Sequence, residues 1–224
     1  MVGTAESDLS SVPGTPADTR RWYDHVSSLY ALLFERLEAP PGRDAIEWLS
    51  LQPADVAVDL GCGAGGNVVA MAERVGEHGT VIGLDFAPGM CHETATSIRS
   101  ASVENRASVA CADVTETPLR TNSVDALLSS FVFDLLSVAD VRAALDEASR
   151  ILGPDGRLAT VTLAQSDAVA TRLYEGLHRS FPRRIDCRPF PIRTFLEDAG
   201  FRIERSRDRS LYGLPVTIAL ATTH

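Results

Sequence analysis

Lysine is missing from all 224 residues: every one of the 21 basic side chains is arginine. Without lysine there is no P-loop phosphate anchor, no Schiff base with pyridoxal phosphate and no lysine general base, so three large enzyme classes are excluded at once. Cysteine is scarce. The four present, Cys62, Cys91, Cys111 and Cys187, form no C-x-x-C pair and have no histidine at metal-ligand spacing. Neither a zinc site nor a disulfide framework is therefore expected, and the thiols are expected to be reduced. Long apolar runs are lacking too: nothing approaches the roughly 18 uninterrupted residues of a membrane helix, since Asp125 and Asp134 flank even the greasy stretch around Phe131 and Phe133.

The first 20 residues are rich in Ser, Thr and Pro and show no basic region followed by an apolar one. They read as a loose tail, not a secretion signal, which makes residues 21–224 the single expected domain and the cytoplasm its expected location. The net charge of −9 suits a solvated acidic surface and gives no reason to expect nucleic acid as a partner. Its distribution is uneven, for Arg172 to Arg209 holds ten arginines against six carboxylates. A homodimer is left open.

From Trp22 to Leu37 the apolar residues Trp22, Val26, Leu29, Tyr30, Leu33, Phe34 and Leu37 recur every three or four positions, the pattern of a helix with a broad buried face. Pro40-Pro41-Gly42 is expected to end it, and a shorter helix carrying Ile46, Trp48 and Leu49 to follow. The chain then alternates. Strands are expected at 56–60, 81–84, 107–111, 126–130 and 157–163, with helices at 67–75, 88–100 and 141–152 between them. Helices around 168–178 and 192–199 follow, Gly200 stops the second, and strands at 201–205 and 215–221 close the chain. Alternation of this kind, with strands apolar on both faces, implies an α/β fold with a parallel sheet covered by helices on each side. Ligands of such folds sit outside the carboxyl ends of the strands.

Between the first strand and its helix lies Asp59-Leu60-Gly61-Cys62-Gly63-Ala64-Gly65-Gly66-Asn67, a loop whose glycines permit a tight turn and close approach of a ligand to the backbone amides. Gly61, Gly63 and Gly66 satisfy the G-x-G-x-x-G dinucleotide pattern, and Asp85, at the end of the next strand, is placed to hold a ribose diol. An NAD(P)-binding oxidoreductase must therefore be weighed. Asp59 separates the readings: two residues before the first glycine, it would face a pyrophosphate unfavourably but could attract an ammonium group.

Val58 to Gly65 resembles the first motif of the class I S-adenosylmethionine (SAM)-dependent methyltransferases, and three further segments match in order. Val81 to Met90 is similar to the second motif, in which the acid binds both ribose hydroxyls and the next residue lies against adenine; the resemblance gives these roles to Asp85 and Phe86. Ala112-Asp113-Val114, followed by Pro118 and Ser123-Val124-Asp125-Ala126, resembles the third, in which the acid accepts the adenine amino group and its neighbour's amide reads a ring nitrogen. Glu147 to Leu158 resembles the helix–turn–strand that leads to the fifth strand, with Gly-Pro-Asp-Gly in place of the family's Lys-Pro-Gly-Gly. The resemblance covers about residues 20 to 221. It implies a Rossmann-like, doubly wound, mostly parallel seven-stranded sheet with an antiparallel last strand, helices on both faces and an N-terminal helical lid.

Within that family the chain is most similar to the ubiquinone/menaquinone C-methyltransferase group, because Trp22-Tyr23-Asp24-His25 with Ser28 and Tyr30 resembles its lid helix, whose tyrosine at the position of Tyr23 can reach the SAM carboxylate. Phe133-Asp134-Leu135-Leu136 replaces the Arg-Asn-Val signature expected there after the fourth strand. The cofactor residues implied by the resemblance are Tyr23, Asp59, Gly61, Cys62, Gly63, Asn67, Asp85, Phe86, Met90, Asp113, Val114 and Ser130. Those implied for the acceptor are Tyr30, Phe133, Asp134 and Arg188.

The expected reaction moves a methyl group from SAM to a small-molecule or lipid-like acceptor by in-line displacement, which asks for placement and no covalent nucleophile. His25 and Asp134 are candidate bases, but each has an equally good structural reading, so no catalytic residue is assigned. The arginines at 179, 183, 184, 188 and 193 would suit an anionic headgroup or merely pair with the acidic surface. A module that binds SAM without turnover is the remaining alternative.

Overall fold

The computed structural model describes residues 40–164 and 189–223. Helix α1 spans 40–49 and buries Ala45, Ile46, Trp48 and Leu49. Pro40 and Pro41 are the first described residues of this helix, the shorter one expected around Ile46, Trp48 and Leu49. The helix expected over 22–37, which the two prolines were expected to end, lies outside the described residues.

The remaining elements are β1 (Val56–Leu60), α2 (Gly66–Val75), β2 (Thr80–Asp85), α3 (Pro88–Ser100), β3 (Ala107–Cys111), β4 (Val124–Ser130), a short 3-10 turn (Phe133–Leu135), α4 (Val138–Ile151), β5 (Leu152–Leu163), α5 (Ile192–Asp198), β6 (Arg202–Leu211) and β7 (Leu214–Thr222). The sheet has seven strands in the order β3-β2-β1-β4-β5-β7-β6. Neighbours from β3 to β5 pair in parallel, whereas β7 runs antiparallel to both β5 and β6. The expected Rossmann-like, doubly wound sheet with its antiparallel last strand is thus the observed one.

The two faces of the sheet serve two apolar layers. Ala57, Val81, Ala126, Leu128, Ala159 and Val161 pack with Ile46 and Leu49 of α1, Met71 of α2 and Ile98 of α3. The alternate strand residues Val58, Leu60, Leu84, Leu127 and Leu158 pack with Leu145 of α4 and Phe195 of α5. Period-two alternation between layers is what a strand buried on both sides requires.

Several boundaries differ from the expectation; α4, for one, starts three residues earlier, at Val138. β4 starts two residues earlier, at Val124. β5 follows α4 without a gap, and Gly153-Pro154-Asp155-Gly156 bulges between the pairings Val124↔Leu152 and Ala126↔Arg157. β6 runs six residues beyond Arg205 and joins β7 through Tyr212-Gly213, both at positive φ (50° and 89°). A two-residue hairpin turn of this kind normally announces itself by Asn-Gly or Asp-Gly, so Tyr-Gly gave little signal. The added length is polar and exposed, and apolar alternation could not reveal it. Partners outside the sheet hold it: Arg205 lies 4.0 Å over the Trp48 ring, Arg209 pairs with Asp44, and Asp208 pairs with Arg193 at 2.6 Å.

The segment after β3 is clamped to α4. Glu147 Oε1 accepts the backbone N–H and the hydroxyl of Thr117, both at 2.7 Å, while both carboxylate oxygens accept from Arg150. Arg150 Nη2 also donates to the Leu119 carbonyl at 2.8 Å. The Arg150 contact first, then the Thr117 donors, hold the Glu147 carboxyl down at about 2 against the burial that opposes them. Because this folded-state value lies below the ordinary 4.5, the stabilisation is complete above about pH 4.5 and is lost as pH falls towards 2. Glu147→Gln is expected to destabilise the fold by about 1–3 kcal/mol at neutral pH and to flatten that acid limb, as denaturant melts from pH 2 to 7 would show.

Candidate functional site

The strand order reverses between β1 and β4, and the carboxyl ends of β1, β2 and β4 meet at this switch point, where sheets of this kind bind their ligands in a crevice. β1 delivers Asp59 to its floor and then turns at Gly61, whose φ is +69°. The Gly61 and Cys62 N–H groups both donate to the Leu84 carbonyl, at 2.7 and 2.9 Å, which folds the loop back over β2. A side chain at Gly61 would meet Val132 Cγ2 at 2.4 Å, so the loop and the segment after β4 touch only because this residue has no Cβ. Gly63 is the opposite case: its φ is +53° and the space where a Cβ would point is open for 4 Å.

Asp85, at the end of β2, joins the loop to the next helix. Its Oδ2 accepts the Gly63 N–H at 3.0 Å and its Oδ1 accepts the Ala87 N–H at 2.9 Å. Burial lifts the Asp85 carboxyl above its ordinary range, and these two donors partly oppose the lift. From behind, α3 holds the loop carbonyls: Thr94 donates to Gly63 O at 2.6 Å and Ser97 to Ala64 O at 2.8 Å. Cys62 is buried with its sulfur 3.4 Å from the Thr94 hydroxyl, and burial, with Asp59 and Asp85 nearby, pushes its thiol well up. A thiol so held stays protonated and acts as a small packing group.

Asp59 is fully buried, and among the described residues neither carboxylate oxygen has a hydrogen-bond partner. Burial first, and the neighbouring Asp85 charge second, push its carboxyl well above the ordinary range. A buried acceptor left unpaired is costly, and a cation placed beside it would remove that cost. The arrangement could take an ammonium group beside Asp59, a vicinal diol on Asp85 and a chain passing over open Gly63, the groups that the amino-acid and ribose parts of SAM would present. A pyrophosphate in the same crevice would face two carboxylates.

The third motif places its acid differently. Asp113 is exposed just beyond β3, and its Oδ1 accepts the Thr115 N–H at 2.9 Å and hydroxyl at 2.7 Å, while Val114 is buried. Phe86 and Ser130 are half-buried at the ends of β2 and β4. Met90 is buried with Ala87 and packs against Leu135. The Asn67 amide oxygen lies against Gly42 of α1, 2.9 Å from where a Cβ would stand.

Of the acceptor residues, Phe133 is buried in the apolar layer shared with Val58 and Leu145, and Asp134 is fully buried with its Oδ2 accepting the Leu163 N–H at 2.8 Å. Arg193 is committed to Ser206 and Asp208 on β6, the surface-pairing alternative for that arginine. Tyr23, His25, Tyr30, Phe34, Arg179, Arg183, Arg184 and Arg188 lie outside the described residues. Sequence reasoning missed Thr94, Ser97 and Val132, which support the loop, and Phe131, held at a φ of +56° where β4 ends. The spacing of Thr94 and Ser97, three apart and so on one helix face, was the available signal.

Two substitutions probe this geometry in the free protein. Gly61→Ala is expected to cost about 1–3 kcal/mol, from the Val132 collision and the left-handed backbone, read as a lowered denaturation midpoint. Asp59→Asn is expected to raise the midpoint at neutral pH, since folding no longer has to bury this carboxylate or protonate it.

A protein-family profile described as a methyltransferase domain matches residues 57–156. Among curated proteins, a 2-phytyl-1,4-naphthoquinone methyltransferase of a Nostoc species is 29% identical over 62% of this chain and 62% of its own length. A demethylmenaquinone methyltransferase of Lactobacillus johnsonii is 31% identical over 60% of this chain and 54% of its own. The chain thus spans little more than half to under two thirds of these relatives. A SAM-dependent methyltransferase of Aquifex aeolicus shares the fold, with a TM-score of 0.66 at 22% identity over 85% of this chain and 93% of that one. Residues 57–156 thus match a methyltransferase domain, and the chain is similar to the demethylmenaquinone and 2-phytyl-1,4-naphthoquinone methyltransferases.

Proposed function

We propose that this protein transfers a methyl group from SAM to a small, lipid-like acceptor of the quinol class. The observation that carries the cofactor half is the buried, unpartnered Asp59 beside an Asp85 already anchored on two backbone amides. The quinol class is supported by what the similar proteins from Nostoc and Lactobacillus are named for.

In this reading Asp59 receives the SAM ammonium group. Asp85 accepts the ribose hydroxyls with the lone pairs left after binding Gly63 and Ala87, Phe86 lies against adenine, the Val114 N–H reads a ring nitrogen, and Asp113 accepts the adenine amino group. Gly63 leaves the backbone open to the cofactor chain. When bound, SAM supplies a methyl carbon on a sulfonium whose displacement leaves a neutral thioether, so the remaining task is alignment of the acceptor. Asp134 contributes by tying the 3-10 turn to β5 through the Leu163 N–H, a positioning role.

Calorimetry is expected to show SAM and its demethylated product binding at micromolar levels or better, and Asp85→Ala to weaken both by about a hundredfold or more. Radiolabelled methyl from SAM should then appear in a demethylated naphthoquinol. Tight NADH binding without SAM binding would overturn the cofactor, and transfer only to thiols or amines would overturn the acceptor class. A pH series adds a separate check. Free Asp59 holds its proton above the ordinary range and an ammonium favours its charged form, so binding releases a proton and affinity rises with pH through that elevated range. Asp59→Asn should bind weakly and with this pH dependence flattened.

A further inference from the structure

Beside the Asp85 turn, and outside the roles assigned above, two thiols converge. Cys91, in the first turn of α3, and Cys111, the last residue of β3, bring their sulfurs to 2.7 Å, and both are free. Unbonded sulfurs rest farther apart than this, and a disulfide at about 2.05 Å needs only a small further approach. The surroundings tie the pair to the crevice. Cys111 stands opposite Asp85 in the parallel register, and the Cys91 thiol donates to the Asp85 carbonyl at 3.4 Å. That same carbonyl accepts the Ala112 N–H at 2.9 Å.

We propose that Cys91 and Cys111 are a redox modification site, forming a reversible disulfide that fastens the first turn of α3 to the end of β3. The oxidant is a peroxide or a low-molecular-weight disulfide. Cys111 is exposed and Cys91 only partly so, which makes Cys111 the sulfur that is reached first. Burial, and Cys111 beside it, push the Cys91 thiol up, so it waits protonated as the resolving partner.

With hydrogen peroxide the Cys111 sulfur attacks one oxygen, the O–O bond breaks, and a sulfenic acid and one water result. The Cys91 sulfur then attacks the sulfenic sulfur, the S–O bond breaks and a second water leaves. Two thiols are oxidised by two electrons, peroxide is reduced by two, and both thiol protons end in water. With a small disulfide, two exchanges give the same bond and release two small thiols.

The bond closes the chain between Cys91 and Cys111 into a loop and joins the wall that carries Phe86 and Met90 to the one that carries Asp113 and Val114. Cross-linking a loop of this size restricts the denatured chain, so the folded state gains stability when the bond forms without distortion.

The test uses the full chain, reduced and then treated with dilute hydrogen peroxide. The expected result is a peptide linked through Cys91 and Cys111, an intact mass lower by two hydrogens, and a melting temperature higher by about 5 °C or more. Dithiothreitol should reverse all three. Cys111→Ser removes an exposed thiol and should show neither the linked peptide nor the shift, and Cys91→Ala should behave the same way. Oxidation that stops at Cys111 while Cys91 still alkylates would overturn the proposal, as would a link from either to Cys62 or Cys187, or a linked peptide with no change in melting temperature.

Discussion

The two carboxylates at the ends of β1 and β2 set the terms for everything around them. Asp85 is satisfied inside the protein, holding one backbone N–H from the glycine loop and one from the turn into α3. Asp59 is fully buried beside it and has no partner among the described residues. Placing two acids together in a buried crevice opposes folding, and only one of them recovers part of that cost through hydrogen bonds. The glycine loop, the α3 hydroxyls and the Val132 contact hold this arrangement in place. The unsatisfied group is therefore kept from relaxing towards water.

That rigidity explains why support comes from behind the loop while its front stays open. Thr94 and Ser97 bind the carbonyls of Gly63 and Ala64 from α3, and Val132 closes on Gly61 from the β4 side. At Gly63, among the described residues, these contacts leave the space on the side of a Cβ open. A reaction that depends on alignment gains from such a wall, because misplacement by about 1 Å can cost two orders of magnitude in rate.

Much of the architecture was legible in the sequence because strands buried on both faces must be apolar and must alternate between two layers. β1, β2 and β3 were located almost to the residue by that rule, and Asp59 and Asp85 stood out as acids interrupting it at the carboxyl ends. β6 escaped the same rule, being an exposed edge of alternating Arg, Asp and Ser held by Arg193, Asp44 and Trp48. Phe133 and Asp134 show the other limit. Their position after β4 is readable from the sequence, but that Phe133 is buried in an apolar layer and that Asp134 accepts a strand amide depends on side-chain direction, which spacing does not carry.

The choice between a dinucleotide and SAM turns on the same physics. Gly61, Gly63 and Gly66 would serve either ligand, and an acid at the end of β2 would hold either ribose. Asp59 would not serve both. Next to a pyrophosphate it would add a third negative site to a crevice that already contains Asp85, with little water to screen them. Next to an ammonium it would become the counter-ion, its proton would leave, and the cost of burying it would fall in the same step that binds the ligand. A carboxylate that is a liability in the free protein would then be a partner in the complex, and selectivity for a cation gained in this way would need no contact with the acceptor at all.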